Sequence, residues 1–356
     1  MTALVLPFAE IGAADVAAVG GKAASLGELV SAGLPVPPGY VVTTAAFEAA
    51  LRALDADGHI RAEVEALRTA DHDVIRQAST RLRSRLEQAP LPAPVDRAIA
   101  AAYAQLTGGQ PAPVAVRSSA TSEDGPEASF AGTAQTLLWV RGVEAVGQAV
   151  RRCWASLYSP ESVSYRARRR LPEDEVAMAV VVQRMVDARS AGVAFTRSPV
   201  TGDRSVVAVD SSWGLGSAVV GGEVTPDAFV LSKVTQEVTS RTVAVKDRWH
   251  RPDRAGGGVL DEPIPDERRQ QPSMNDDELR ALLALAVQVE RHYGRPMDIE
   301  WAVDAVDGTI ALLQARPETV WSARAATATA APKAHAFDHV VAMLGTKARI
   351  GSERRA

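Results

Sequence analysis

Several features are scarce in this sequence, and each absence excludes a class of protein. Cys153 is alone among 356 residues, so the chain has neither a disulfide framework nor a cysteine zinc site. No apolar run approaches the roughly 20 residues that span a bilayer, and the N-terminal segment lacks the basic start of a signal peptide. The formal net charge of −4 disfavours broad nucleic-acid binding. We therefore expect a cytoplasmic protein without membrane or nucleic-acid partners.

The reactive motifs of common hydrolases and zinc enzymes are missing as well. The six histidines share no metal-ligand spacing, and none lies in a glycine- and threonine-rich reactive loop. The G-x-S-x-G turn that carries the serine of many hydrolases is also absent. Any chemistry in this chain therefore depends on other residue types.

The composition is that of a globular protein large enough for two lobes, with 46% apolar and 23% charged residues. Periodicity predicts helices at about 22–32, 44–54, 60–69, 73–88, 94–106, 143–157, 160–169 and 275–293, the last one N-capped by Asn275. Apolar or alternating runs predict strands at 40–42, 113–117, 136–140, 176–186, 190–196, 205–211, 226–232, 235–246, 296–304 and 309–316. This mixture predicts an α+β fold in two lobes rather than a doubly wound sheet.

The C-terminal part differs from the rest of the chain in its composition. Residues 323–335 are rich in alanine and low in complexity, which predicts a linker. Beyond them, Phe337, Val340, Val341 and Leu344 share one helical face, so residues 336–356 are predicted to form a short amphipathic helix with a basic tail. This helix either docks a partner protein or packs back on the main domain.

Two segments carry the signals of anion binding. The strand ending in Arg117 runs into a loop of small hydroxyl residues, acids and glycine, VAVRSSATSEDGPEASFAG, which would present a cation and backbone N–H groups to an anion. Lys22, in VGGKAASLGEL, follows two glycines at a predicted helix start, where backbone amides favour anions. It does not belong to a Walker A loop. A solvated turn and an exposed lysine are the alternative interpretations.

The two final strands form a hairpin whose register decides which side chains meet. A two-residue Asp-Gly turn would place Arg316 among apolar side chains of the first strand. A three-residue loop with Gly308 in the left-handed region instead pairs Glu300 with Gln314, and Asp298 with Arg316, on one face. Burying an unpaired arginine is costly, so we predict the three-residue loop.

That register gathers two carboxylates, an amide oxygen and a guanidinium. Oxygen ligands of this type suit Mg²⁺ that is bound together with substrate phosphates. An arginine adds a fixed fork for phosphate oxygens. A surface ladder of salt bridges is the alternative.

Two more segments are weaker candidates. Gln183 to Val186 follow an apolar strand and suit an adenine slot, with backbone hydrogen bonds and Met185 against the base, although Met185 also suits a plain core. The glycine-rich stretch WGLGSAVVGGEVTPD either lines a ligand cleft with Glu223 or connects two strands.

Taken together, these segments resemble the N-terminal nucleotide-binding domain of the phosphoenolpyruvate synthase and pyruvate phosphate dikinase family, which rifampin phosphotransferase and two-component phenylphosphate synthase share. The matching pieces are GGKAASLGELVSAGLPVPPGYVVTTAAF, VRSSATSEDGPEASFAG, VVVQRMV with AGVAFTRSPVTG, GLGSAVVGGEVTPD, and DIEWAV followed by LLQARPETVW. They run in the family's order over roughly residues 11–321. One departure is Ser217, where the family commonly has glutamate.

The resemblance implies an ATP-grasp-like domain over 1–322, with MgATP between lobes of roughly 1–180 and 181–322. It implies that Lys22, Arg117 and Arg316 contact phosphates and act in catalysis, and that Glu300 and Gln314 hold Mg²⁺ with Asp298 beside them. The Ser129–Thr136 loop, with Gly132 and Thr136, would close over the phosphates. Gln183 and Met185 would hold adenine, and Glu223 would lie near the nucleotide.

In the family, the β-phosphate of ATP passes to a histidine on a swivelling domain, with release of AMP and phosphate, and then to a small-molecule acceptor. The reactive-histidine motif and an acceptor domain are missing from this sequence. We therefore expect either an excised domain or, preferably, a subunit of a split phosphotransferase that works on a phosphohistidine partner. The alternatives are a subunit that senses ATP without chemistry and a self-contained small-molecule kinase.

Overall fold

In the part of the chain that the structure describes, the strands form two antiparallel sheets and a separate hairpin. The computed structural model describes residues 3–121, 135–319 and 321. The strands are β1 Val5–Pro7, β2 Gly39–Val42, β3 Val114–Ala120, β4 Thr136–Val140, β5 Met178–Arg184, β6 Ala188–Phe195, β7 Val206–Trp213, β8 Asp227–Ser232, β9 Val238–Thr242, β10 Arg248–Pro252, β11 Val259–Pro263, β12 Met297–Asp304 and β13 Ile310–Pro317. The helices are α1 Val16–Ser31, α2 Thr44–Leu54, α3 His59–Ala66, α4 His72–Gln88, α5 Ala93–Thr107, α6 Val143–Ser156, α7 Pro160–Arg169, α8 Ser217–Val220, α9 Asp266–Arg269 and α10 Asp276–Tyr293.

The first sheet has the order β1-β2-β5-β3-β4 and the second has the order β13-β12-β6-β7-β8-β9. Every strand pairing in the described residues is antiparallel. The mixture of helices and antiparallel sheets agrees with the predicted α+β class. Most predicted elements are present, but β1 and the β10–β11 hairpin were not predicted, and the strand predicted at 235–246 is confined to Val238–Thr242.

Residues up to Thr319 belong to one compact unit. The predicted linker and tail helix lie outside the described residues. Within the described ranges, no helix is both long enough and apolar enough to cross a membrane.

The first sheet is covered by helices α2 to α7 on one face. Phe47 of α2 and Trp154 of α6 pack edge to face, with ring centroids 5.9 Å apart, in a core with Val116 of β3 and Val182 of β5. Aromatic pairs in this geometry stabilise a core beyond their buried area. This core holds β3 in place, and β3 carries Arg117.

The second sheet packs one face against α10. The odd-numbered residues Met297, Ile299 and Trp301 of β12 are buried in a core with the apolar stripe of α10. Helix α10 begins at Asn275, whose side chain accepts a hydrogen bond from the Glu278 backbone N–H while the Glu278 carboxylate accepts one in return, as a capping box does. The predicted cap is confirmed. The even-numbered residues of β12 therefore point to the opposite face, which we call the open face.

Helix α1 starts earlier than the predicted Lys22, at Val16, but it is broken at Gly20. The φ of Gly20 is +75°, and a Cβ there would lie 2.2 Å from the Ser119 carbonyl oxygen. Only glycine tolerates both the positive φ and this close approach. The break lets the segment before Lys22 lie directly against β3.

Candidate functional site

The register of the β12–β13 hairpin is the first determinant of the site. Glu300 pairs with Gln314 and Asp298 pairs with Arg316, as predicted. The predicted three-residue loop is wrong: Val303 pairs with Ile310, and the Asp304 N–H donates to the Thr309 carbonyl, which leaves the four residues 305–308 in the loop.

A β-bulge in β13 explains how a four-residue loop still gives the predicted pairs. Trp301 pairs with Leu312 while Glu300 pairs with Gln314, so Leu313 is the extra residue. If Leu313 instead paired with Glu300 in a regular ladder, the four-residue loop would place Gln314 and Arg316 on the apolar face, because a shift by one residue inverts a strand. Arg316 avoids the apolar face as predicted, but through a bulge in β13 rather than through the turn.

Arg117 brings the first sheet to this hairpin. Its Nη2 donates to Glu300 Oε2 at 2.8 Å and to Gln314 Oε1 at 2.7 Å, and its Nη1 donates to the carbonyl of the bulged Leu313 at 2.9 Å. The Arg117 side chain is 10% exposed and that of Glu300 is 27% exposed. The two predicted metal ligands therefore converge on one positive charge, as they would around a cation. We call Arg117, Glu300 and Gln314 the Arg117 group.

Lys22 lies beside this group through β3. It is buried, and its Nζ donates to the carbonyl of Ser118, the residue after Arg117, at 2.7 Å. The Ser119 hydroxyl ties the two elements together, because it donates to the Val19 carbonyl at 2.9 Å and accepts from the Ala23 N–H at 3.2 Å. Two cations from distant segments thus meet near the middle of β3, at Arg117 and Ser118.

Asp298 and Arg316 form a second, looser pair on the open face. Arg316 Nε lies 3.4 Å from Asp298 Oδ2, and Arg316 is exposed. Burial raises the pKa of Asp298 to about 6, with a smaller contribution from Glu318 and an opposing one from Arg316. Asp298 Oδ1 is buried and has no hydrogen-bond partner in the part of the chain that the structure describes. The protein alone therefore compensates the negative charge of Asp298 poorly.

The donor set fits Mg²⁺ shared with a polyphosphate. Among residues 3–121, 135–319 and 321, no three His, Cys, Asp or Glu side chains form a cluster that would hold a metal by themselves. Mg²⁺ is commonly held by one or two carboxylates, with phosphates and water completing its octahedron. Glu300 and Gln314 supply such a partial set, and the neighbouring cations match the charge of phosphates.

The predicted adenine segment lies at the end of β5. Gln183 is buried, and its Nε2 donates to the Pro37 carbonyl at 3.2 Å, while the Met185 N–H donates to the Pro113 carbonyl. Met185 packs against a small apolar cluster on the open face of the second sheet. We call it the Met185 cluster; it contains Leu138, Met185, Val186, Ala188, Ala191, Leu215, Ala302 and Leu313. The bulged Leu313 thus joins this cluster through its side chain and the Arg117 group through its carbonyl.

The remaining predicted residues are placed differently. Thr136 pairs directly with Arg117 across β3 and β4, so it borders the group. Gly132 lies outside the described residues. Glu223 belongs to a separate arrangement: its Oε2 lies 3.2 Å from Nε2 of His250, whose Nδ1 lies 2.8 Å from the Ser217 hydroxyl. No hydrogen bond or ion pair among the described residues joins Glu223 to the Arg117 group.

His250, in the hairpin that was not predicted, is the residue that sequence reasoning missed. The turn of this hairpin also reaches the first sheet, because the Gly258 N–H donates to the Trp139 carbonyl at 3.3 Å, and Arg254 pairs with Asp187 in the connection between β5 and β6. The sequence RWHRP has little alternation. Nothing local therefore indicated a strand or linked His250 to Ser217, 33 residues earlier.

The site as a whole combines buried cations, an oxygen pair suited to Mg²⁺ and an apolar cluster, which defines the class of nucleotide-binding proteins. The model of the family described as "Pyruvate phosphate dikinase, AMP/ATP-binding domain" matches residues 16–336. The chain belongs to this family.

Named relatives agree with this assignment. Phosphoenolpyruvate synthase of Aeropyrum pernix is 41% identical over 92% of this chain and 44% of its own length. Rifampicin phosphotransferase of a Streptomyces species is 42% identical over 89% of this chain and 36% of its own length. Phosphoenolpyruvate synthase of Deinococcus radiodurans is 41% identical over 90% of this chain and 42% of its own length. The chain thus spans less than half the length of these curated relatives.

Proposed function

We propose that this chain binds MgATP and serves as the nucleotide-binding part of a dikinase-type phosphotransferase. The observation that carries the proposal is that Glu300 and Gln314 both contact Arg117. Both residues follow Arg117 in the sequence by nearly two hundred positions. Mg²⁺ would take the place of the guanidinium between the two oxygens. Arg117 would then be available to the phosphates.

The other residues extend this assignment along the nucleotide. Lys22 and Arg316 would neutralise phosphate charge, with Asp298 beside the metal ligands. Gln183 and Met185 would hold the adenine against the Met185 cluster. Thr136, Gly132 and Glu223 would border the nucleotide, within an ATP-grasp-like arrangement of lobes at roughly 1–180 and 181–322.

The reaction supported by the resemblance is transfer of the β-phosphate to a histidine of a partner domain or subunit, with AMP and phosphate as products. Phosphoryl transfer needs positioning and neutralisation of charge more than covalent assistance. Buried cations such as Lys22 and Arg117 act more strongly than exposed ones, since they need no reorganisation as charge develops. The partner would pass the group to a small-molecule acceptor.

Calorimetric titration with ATP, with and without Mg²⁺, tests the nucleotide site. We expect metal-dependent binding that Glu300→Ala weakens by one to two orders of magnitude, because a charged ligand to the metal is lost. Asp304→Ala is the matched control, since Asp304 is on the same strand and accepts a hydrogen bond from the Val306 N–H in the turn. Absence of ATP binding by the wild type in either condition would refute the proposal.

Transfer chemistry is tested with ATP labelled at the β or the γ position. The acceptor is the portion of Deinococcus radiodurans phosphoenolpyruvate synthase that this chain does not span. We expect acid-labile label on the acceptor from the β position only, and its loss in a Lys22→Ala, Arg117→Ala double variant. Transfer that survives in the folded double variant would contradict the assigned roles.

One observation favours a second candidate, an ATP-sensing subunit without chemistry. Ser217 replaces the glutamate common in the family and is already engaged by His250. Mg²⁺-dependent conversion of ATP to AMP in the presence of the acceptor would exclude this candidate. Turnover by the chain alone with a small acceptor would instead support a self-contained kinase.

A further inference from the structure

The open face of the second sheet carries one more carboxylate, Asp210 of β7. The register places Gln314, Glu300, Val193 and Asp210 side by side on four adjacent strands. Asp210 is on the side away from α10, because its neighbour Val209 is buried against that helix. Two strand spacings separate it from Glu300, which is about 10 Å.

The described part of the chain gives the carboxylate of Asp210 no interaction partner. Its carboxylate is half-buried, and no side chain or backbone group of the described residues donates a hydrogen bond to it or pairs with it. Burial alone raises its pKa, since no neighbouring cation opposes the effect. Ser212, two residues along the same face, is buried with a hydroxyl that also has no hydrogen-bond partner in the described part of the chain. A buried hydroxyl without a partner is costly, and together with the half-buried carboxylate of Asp210 on the same strand face it indicates that this strand meets a polar ligand.

The neighbours of Asp210 define the kind of ligand. The adjacent row of the open face, Ala302, Ala191 and Ser212, belongs to or borders the Met185 cluster, where the adenine is proposed to lie. The phosphates are proposed to lie at the Arg117 group, which supplies the cations that Asp210 lacks. A carboxylate without a neighbouring cation repels phosphates but accepts two hydrogen bonds from a pair of hydroxyls. The part of a nucleotide that links its ring to its phosphates, and that carries such a pair, is the ribose.

The other polar side chains of the neighbouring glycine-rich segment are already engaged. His250 contacts both Ser217 and Glu223. The Gly214 N–H donates to the Arg189 carbonyl, and the Leu215 N–H donates to the His250 carbonyl. Asp210 is therefore the carboxylate on this strand that no described side chain engages.

We propose that Asp210 binds the 2′- and 3′-hydroxyls of the nucleotide and makes the site selective for ribonucleotides. This inference rests on the proposed binding of MgATP. Because hydrogen bonds to a charged group are strong, the loss of one hydroxyl contact is expected to weaken binding about tenfold or more.

The experiment compares calorimetric binding of Mg-ATP, Mg-2′-deoxyATP and Mg-3′-deoxyATP to the wild type and to Asp210→Ala. We expect the wild type to bind ATP about tenfold more tightly than the deoxy analogues, and Asp210→Ala to bind all three nucleotides alike. Asp210→Asn, which keeps the shape and one acceptor oxygen, is expected to fall between them. Glu237→Ala, an exposed carboxylate ahead of β9, serves as the control.

The outcomes separate this inference from the proposed function. If the wild type binds MgATP but does not distinguish it from the deoxy analogues, the role of Asp210 is refuted and the nucleotide site stands. If Asp210→Ala weakens all three nucleotides equally, Asp210 acts through the metal or the fold, and the inference also fails. If the wild type binds no nucleotide, the proposed function itself fails. If Asp210→Ala does not fold, the Asp210→Asn comparison decides.

Discussion

Two charge pairs in this molecule have similar chemistry and opposite character. Lys246 and Asp227 are 0% exposed, and Lys246 Nζ lies 2.5 Å from Asp227 Oδ1. Asp227 also accepts hydrogen bonds from the Ala244 N–H and from the backbone and hydroxyl of Ser273. Both oxygens of Asp227 are thus used by the chain itself, so no ligand is needed to stabilise it.

The pair of Arg117 and Glu300 lies at the open face instead. Glu300 keeps contact with solvent, and Arg117 is its sole ion-pair partner among the described residues. A pair whose cation can be exchanged is suited to binding, whereas a sealed and saturated pair is suited to holding a fold. The comparison shows that a ligand-binding ion pair differs from a structural ion pair mainly in its solvent access and in its number of protein partners. Charge alone does not distinguish the two.

The largest expected effect on stability is at the buried pair of Lys246 and Asp227. Lys246→Met should destabilise the metal-free protein by about 3–5 kcal/mol, because it leaves a buried carboxylate without a counter-charge. Arg117→Met should cost much less, since Glu300 can be hydrated. Urea denaturation of both variants measures the difference, and equal losses would remove the distinction between the two pairs.

Glu300→Gln separates the effect on nucleotide binding from the effect on stability at the pair of Arg117 and Glu300, which we call the open pair. We expect MgATP affinity to fall at least tenfold, because the charge on the metal ligand is removed. The free energy of unfolding should fall less than in Asp227→Asn, because the amide oxygen of the glutamine can still accept from Arg117. Asp227→Asn should show the reverse, lost stability with intact affinity in the folded fraction, as measured by calorimetry and urea denaturation.

Asp298, beside the open pair, should make stability depend on pH. Its pKa is raised to about 6, so the folded state holds a proton that the unfolded chain releases near pH 4. Stability therefore falls as pH rises between about 4 and 6, by on the order of 2–3 kcal/mol for this shift.

Asp298→Asn should raise the melting temperature of the metal-free protein more at pH 8 than at pH 5. Asp307→Asn provides a control of opposite sign, because hydrogen bonds from Thr309 lower the pKa of Asp307. An equal gain at both pH values for Asp298→Asn would show that its charge is compensated after all.

The smallest expected effect concerns the support of the open pair. Ser25, on the same helix as Lys22, donates to the Ala315 carbonyl at 2.6 Å, between Gln314 and Arg316 on edge strand β13. Ser25→Ala should cost about 1 kcal/mol of stability and weaken MgATP binding a few-fold. Ser25→Thr should restore the contact, and Ser31→Ala, on the exposed end of the helix, should change neither quantity.

The sequence patterns predicted most elements and the pairing of Glu300 with Gln314, because alternation and the cost of a buried arginine are local properties. They predicted the wrong loop, since an inserted residue such as Leu313 leaves no mark on an otherwise apolar run. The contact of Arg117 with Glu300 depends on how two sheets meet and was not predicted, since the family resemblance implied only that both residues belong to one nucleotide site. The role of His250 depends on a hairpin with little periodicity.

The bulge at Leu313 has a consequence for how this hairpin can evolve. Because the site residues pair beyond the bulge, away from the turn, the turn at 305–308 can gain or lose residues if these pairs are kept. Length changes in that turn should therefore be tolerated, whereas deletion of Leu313 would leave Gln314 opposite Glu300 in a regular ladder and would remove the carbonyl that accepts from Arg117. The bulge thus makes the orientation of the proposed ligands independent of the length of an exposed turn.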